Sequence, residues 1–233
     1  MRSEAHGVPM KFMAWDTWRS ALQGLDNMEE DIHLCPHWLG EPTIHPRFDQ
    51  FVEYAFAINK NNRIFREFKL HTNAVVFSEA RARLLIRLAN QPGQAVDTFR
   101  FIHFSIDAFT PQTYKLVKGA DFGVRVNRNV RRFLEIRDEM GARLPRAMLA
   151  FVVQPENAHE AAAFQQHWSE ILAGLGCNVV QTWDWPAQLE DALYFRRLNC
   201  GEQAKSDALH ARVVRGLGIA PPGSDVLRGA ESF

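Results

Sequence analysis

The sequence predicts an α/β protein, a partial parallel (β/α) barrel. Three observations lead there. Short stretches with a two-residue period alternate with longer stretches of helical period along most of the 233 residues. That is the pattern of parallel strands joined by right-handed helical crossovers. Three of the extended stretches have one apolar and one polar face, whereas a strand covered by helices on both sides is apolar throughout. Apolar faces under helices and polar faces around a wide, wet interior satisfy that pattern. Finally, five strands are visible. A closed eight-stranded barrel needs more chain and an interior filled with branched apolar side chains.

The elements follow in order. Met10 to Met28 has Phe12, Trp15, Trp18, Leu22 and Leu25 at helical spacing. In "DIHLCPH", Ile32, Leu34 and Pro36 share one face of a strand, and Asp31, His33, Cys35 and His37 the other. A helix over 46–61 carries Phe48, Phe51, Val52, Tyr54 and Ala55. "EFKLHTN" sets Phe68 and Leu70 against Lys69, His71 and Asn73, and a helix over 78–90 follows. "FRFIHFSID" sets Ile102, Phe104 and Ile106 against Phe99, Phe101, His103, Ser105 and Asp107. A helix spans 121–141, "RAMLAFVVQ" is the next strand, and a helix spans 157–173. "CNVVQTWDW" reads as the last strand, with Trp183 and Trp185 on one inward face, and the arginines of "YFRRL" beyond it could shape a substrate mouth. An amphipathic helix over 202–217 and a Pro-, Gly- and Ser-rich tail from Ala220, expected to be disordered, close the chain. The domain reading is a barrel over 1–185, a helical extension over 186–219 and a tail over 220–233.

Hydrophobic residues make up 46%, enough for a sizeable core. Lys+Arg and Asp+Glu both number 27, so the formal net charge is zero. That balance disfavours nucleic acid and anionic membranes as partners. No apolar run approaches the about 18 residues of a membrane span, and "MRSEAHGVPMKFMAWDTW" lacks the apolar core of a signal peptide. The cysteines, Cys35, Cys177 and Cys200, are odd in number and scattered. They make no disulfide framework and suit a reducing compartment, so a soluble cytoplasmic protein is expected.

In such folds ligands sit at the C-terminal ends of the strands. The residues there are Gly40-Glu41-Pro42, Thr72-Asn73, Ser105 with Asp107, Gln154, and Trp183-Asp184-Trp185. A polar group at five successive strand ends points to a ligand site. Each has a plainer alternative: Glu41 as a solvated turn residue, Asn73 as a turn former, Asp107 as the cap of the next helix.

The ordered series "LGEPTIHPRFDQFVEYA", "LHTNA", "FSIDAFTPQTYKLVKGADFGVRVNRNVRRFLEIRD" and "LAFVVQPENAHEAAAF" resembles the radical S-adenosylmethionine (SAM) enzymes, nearest the SPASM-type, peptide-modifying branch, over about Met10 to Trp185. The resemblance implies a barrel of the radical SAM type. It implies that Gly40, Glu41 and Pro42 bind the methionine amino group, which needs acceptors held still. Ser105 and Asp107 would lie near the ribose or carboxylate, where a hydroxyl and a carboxylate suit ribose hydroxyls, with Asn73 and Gln154 as neighbouring polar contacts. It implies cleavage of SAM to a 5′-deoxyadenosyl radical that abstracts hydrogen from a substrate, a peptide or a small metabolite.

The departure from the family is as informative. A [4Fe-4S] cluster held by CxxxCxxC after the first strand supplies the electron in these enzymes, because iron favours thiolates. This sequence lacks that strand and those cysteines, and Cys35, Cys177 and Cys200 cannot replace them by spacing. With only Cys200 in 186–233, no auxiliary cluster is expected. The expectation is therefore a barrel missing its first strand and inactive alone. Three explanations stand: a truncated reading frame, which we favour; a fragment whose cluster loop comes from a second chain; or a degenerate member. Two other classes compete. One is a non-catalytic SAM- or substrate-binding scaffold. The other is a zinc hydrolase using the inward His33, Cys35, His37, His71 and His103.

Overall fold

The computed structural model describes residues 11–25, 28, 31–37, 40–93, 95 and 98–219. Strand β1 (His33–Leu34) pairs in parallel with β2 (Glu67–Phe68). Strand β3 (Leu70–Thr72) starts one residue later. The Lys69 N–H donates to the Leu34 carbonyl at 2.9 Å, so β2 and β3 act as one run that joins β1 to the main sheet. That sheet also contains β4 (Phe101–Ser105), β5 (Arg146–Val153), β6 (Val179–Thr182) and β7 (Asp191–Arg197). Its order is β3-β4-β5-β7-β6, and every pairing is parallel. The α/β expectation holds.

The helices are α1 (Trp15–Leu25), α2 (Phe48–Asn62), α3 (Glu79–Ala89), α4 (Pro111–Lys118), α5 (Gly123–Glu139), α6 (Ala161–Gly174) and α7 (Gln203–Gly216). Their buried residues join one core with Phe68, Ile102, Phe104, Leu149, Phe151, Leu193 and Phe195 of the strands. Each fully buried phenylalanine contributes about 1.5–3 kcal/mol. Local sequence sets the helix ends. Ser78 caps α3 by accepting from Arg81 N–H at 3.2 Å, and Thr110 caps α4 ahead of Pro111. Gly119, at φ +71, ends α4 in the left-handed region. Gly123 starts α5 where a Cβ would lie 2.9 Å from the Tyr114 Cβ and 3.0 Å from the Pro111 Cα. Only glycine permits that approach.

Several expectations need correction. The helix expected over Met10–Met28 is described only from Trp15 to Leu25; Met10 lies outside the described residues, as does the tail from Ala220. The expected helix over 121–141 is preceded by a separate α4. Most important, "CNVVQTWDW" is not the last strand. β7 follows it and inserts between β5 and β6, so the sheet continues beyond Trp185 and 186–219 is not purely helical. The polar ends of "DALYFRR" hide this strand in the sequence. Asp191 is a buried residue satisfied by Arg137, and Arg197 pairs with Asp207 of α7 at 3.1 Å.

The insertion has a geometric consequence. β6 and β7 are parallel neighbours joined by residues 183–190 alone. Such a connection must return from one end of the sheet to the other. The register sets Thr182 beside Tyr194, so the return to Asp191 is only about 10 Å along β7. Residues 183–190 contain no helix. Trp185 lies on the sheet face away from the helices, against Phe101, Met148, Ala150, Ala192 and Tyr194. That face is not a uniformly wet interior, because its lower half is closed by this cluster. Among the described residues no helix is long and apolar enough to cross a membrane.

Candidate functional site

The corner after β1 is built around Glu41. It caps a short 3-10 turn over Pro42–Ile44. Its Oε1 accepts from Thr43 N–H at 3.0 Å, from the Thr43 hydroxyl and from the Thr72 hydroxyl at 2.7 Å; its Oε2 accepts from Asn73 N–H at 2.6 Å. The carboxylate thus fastens the corner to the end of β3. Arg81 of α3 adds a clamp, donating to the Thr43 and Val76 carbonyls and pairing with Asp49 at 2.7 Å. Glu41 is therefore more than a solvated turn residue. The carboxylate has four internal donors, the Glu41 and Pro42 carbonyls accept from the Ile44 N–H at 3.4 Å and the His45 N–H at 3.1 Å, and Gly40 is exposed. A cavity of about 620 Å³ lies against Gly40, Glu41 and Pro42, walled mainly by Phe12, Met13, Trp18, Phe48 and Phe51.

A second station stands at the ends of β4 and β5. Asp107 is buried and has φ +60, a left-handed conformation that aspartate tolerates better than most residues. Its Oδ2 accepts from the Ser105 hydroxyl at 2.9 Å and from the Lys118 ammonium, and its Oδ1 accepts from Val152 N–H at 2.7 Å. Asp107 does not cap α4, because Thr110 does. Buried Asn157 completes the station. Its amide donates to the Asp107 carbonyl at 2.8 Å and the Val152 carbonyl at 2.9 Å, and its side-chain oxygen accepts from Gln154 N–H at 2.9 Å. Gln154 itself is half-buried at the same edge. Lys118 and Asn157 were not singled out as site residues in the sequence. Asn157 sits in the "QPEN" stretch, which was a signal; Lys118 carries none.

The charges of both stations are felt at Tyr114. The buried Tyr114 phenol is pushed up to about 12 by burial and by the charges of Asp107 and Glu41. Glu160 anchors the turn that leads from β4 into α4. It accepts from Phe109 and Thr110 N–H groups and from the Thr110 and Thr113 hydroxyls. Burial opposes its charge, and these four bonds outweigh it, so its pKa is lowered.

Below the rim the histidines form a row. His37 and His71 have ring centroids 4.8 Å apart, and His71 and His103 are stacked at 4.6 Å. Burial, then neighbouring positive charge, pushes His71 down to about 2 and His103 to about 3. Both are neutral at physiological pH. The rings stack rather than converge. His33 pairs with Glu67 at 2.9 Å, and burial raises the Cys35 thiol. Among the described residues no three His, Cys, Asp or Glu side chains could hold a metal ion. Cys177 lies beside Arg137 at 3.4 Å and Cys200 is exposed beyond β7, so the cysteines do not meet. The two tryptophans also part company. β6 ends at Thr182, so alternation stops there: Trp183 packs on the helix-side core and Trp185 on the opposite face.

Fold and rim together define an α/β protein with a parallel sheet and two polar stations at its strand ends. Comparison with protein-family models finds no match, and comparison with curated proteins finds none.

Proposed function

We propose that the chain is a SAM-binding protein of the radical SAM type, with a partial barrel whose rim holds the cofactor. The observation that carries this reading is the Glu41 fastening, which ties the Gly-Glu-Pro corner to β3 beside a cavity. The Ser105-Asp107-Lys118 station supplies polar groups suited to ribose hydroxyls or a carboxylate. Asn73 and Gln154 complete the rim between and beside the stations. When SAM is bound by an enzyme of this type, a [4Fe-4S] cluster delivers the electron that cleaves it. The described residues do not fit a cluster, since no cysteine triad converges. The chain alone therefore binds the cofactor without cleaving it, and its own residues orient the amino-acid and ribose ends.

Isothermal titration with S-adenosylhomocysteine tests the reading. Saturable 1:1 binding that Asp107→Asn weakens at least tenfold supports it. No binding by folded protein overturns it. Formation of 5′-deoxyadenosine by the reduced, iron- and sulfide-treated chain would overturn the statement that it lacks cleavage.

A further inference from the structure

We propose that residues 183–190 are an acid-opened strap: Trp185, laid over His71 and His103, closes the helix-free face of the sheet at neutral pH, and protonation of the two imidazoles releases it. The strap goes beyond the cofactor reading and does not depend on it.

The two faces of the sheet are covered differently. On one, helices pack throughout, and Trp168 of α6 is wholly buried there. On the other, the buried cluster is Phe101, Met148, Ala150, Ala192 and Tyr194, and among the described residues the one further hydrophobic side chain packed on it is Trp185. The strand registers put His71 and His103 level with Met148 and Ala192. The indole stacks on both imidazoles: its centroid lies 6.2 Å from His71 at 26° and 6.3 Å from His103 at 10°. That cover is held by little. Residues 183–190 form neither helix nor strand, and Asp184, Ala187, Leu189 and Glu190 are exposed. The Trp185 N–H donates only to the neighbouring Asp184 carboxylate, at 2.7 Å. With its amide oriented to satisfy both neighbours, Gln188 accepts from Trp185 Nε1 at 2.9 Å and donates to Glu67 at 3.1 Å. A segment with so few bonds to the rest of the fold opens at a lower cost than the core.

The rings beneath supply the trigger. His103 is 6% exposed, and its Nδ1 has no hydrogen-bond partner. In the neutral ring that is one unsatisfied nitrogen. In the protonated ring it would be a charged, buried N–H without an acceptor, which costs more. Lifting Trp185 lets water satisfy it. Burial is the first cause that holds His71 near 2 and His103 near 3 while they are covered. The other groups facing the pair do not oppose it. They are His37, Lys69 held by Glu67, Lys118 held by Asp107, Arg196 of β7, and the Tyr194 phenol, which burial raises. Among the described residues no carboxylate pairs with either imidazole; Glu67 takes His33 instead. A covered ring therefore binds a proton more weakly than an exposed one at 6.5. Each proton favours the opened form, so falling pH opens the strap and rising pH closes it.

Fluorine NMR of the full chain labelled with 5-fluorotryptophan tests the strap, with Trp185→Phe and Trp168→Phe assigning the two signals. The Trp185 signal is expected to move to the position of a solvent-exposed tryptophan between about pH 6 and 4. The Trp168 signal, in the helix-side core, should stay in place over the same range. In His71→Gln/His103→Gln the Trp185 signal should stay where it is at pH 7.5, and each single variant should move the midpoint to lower pH. The single variants keep the test standing if the double variant does not fold, which circular dichroism checks. Three results overturn the proposal. The Trp185 signal could stay in place down to the pH at which Trp168 is lost. It could move only together with Trp168, which is global unfolding. Or it could move equally in the histidine variants, which would place the trigger elsewhere.

Discussion

Two aspartates at opposite ends of the sheet do similar work with different outcomes. Asp191, at the start of β7, accepts from both Arg137 terminal nitrogens at 2.7 Å and from the Ala147 N–H of β5 at 2.6 Å. Asp107, past the end of β4, accepts from Lys118, Ser105 and the Val152 N–H of β5. Each carboxylate ties a strand end to β5 and neutralises a cation. The side chain of Arg137 is 2% exposed, that of Lys118 25%. One end of the sheet is sealed and the other is left within reach of solvent. The difference teaches what each polar group does: at the sealed end it holds β7 in place, at the open end it fastens β4 to β5 within reach of solvent.

Arg137→Met should break the comparison most sharply. It leaves Asp191 buried without its cation, and such losses cost about 3–5 kcal/mol. Chemical denaturation would read it; a change under about 1 kcal/mol would mean that the two ends are not different in kind. Glu41→Ala comes next. It strands the Thr43, Thr72 and Asn73 donors, a loss of about 1–3 kcal/mol, together with weaker S-adenosylhomocysteine binding in calorimetry.

The histidine row gives a pH test. His71 and His103 sit near 2 and 3 in the fold, against 6.5 when exposed. Below pH 6.5 the unfolded chain takes up protons that the folded chain does not. Stability is therefore fully present above about pH 7 and falls as the pH drops towards 3. The slope is at most about 1.4 kcal/mol per histidine per pH unit. Denaturation of the native chain and the His71→Gln/His103→Gln pair at pH 7.5, 6 and 5 should show a shallower slope in the variant. The smallest stability effect belongs to Lys118→Met, at about 1 kcal/mol or less, because its head reaches solvent. Its ligand affinity should nonetheless fall at least tenfold in the calorimetric titration. A stability loss as large as that of Arg137→Met would erase the contrast.

Much of the rim was readable in advance. Alternation placed His103 and Ser105 on one face of β4 and His71 on the matching face of β3, because a strand's period is fixed at two; Asn73 and Asp107 lie just past those strand ends, and Phe99, expected beside Phe101, packs with the helix-side core. Alternation failed at the tryptophans, since β6 stops at Thr182. It also failed to find β7, whose charged ends look like loop until Arg137 and Asp207 are brought to them.

The sequence by itself determined the parallel α/β pattern, the apolar and polar faces of β4, and most of the strand-end groups, because these follow from local periodicity. Tertiary structure alone decided that β7 inserts between β5 and β6, that residues 183–190 lay Trp185 across the helix-free face, and that Glu41 and Asp107 fasten strands. Those outcomes depend on partners distant in the chain. Asn73 is 32 residues from Glu41, and Val152 is 45 from Asp107. No local pattern encodes which donor a buried carboxylate will meet.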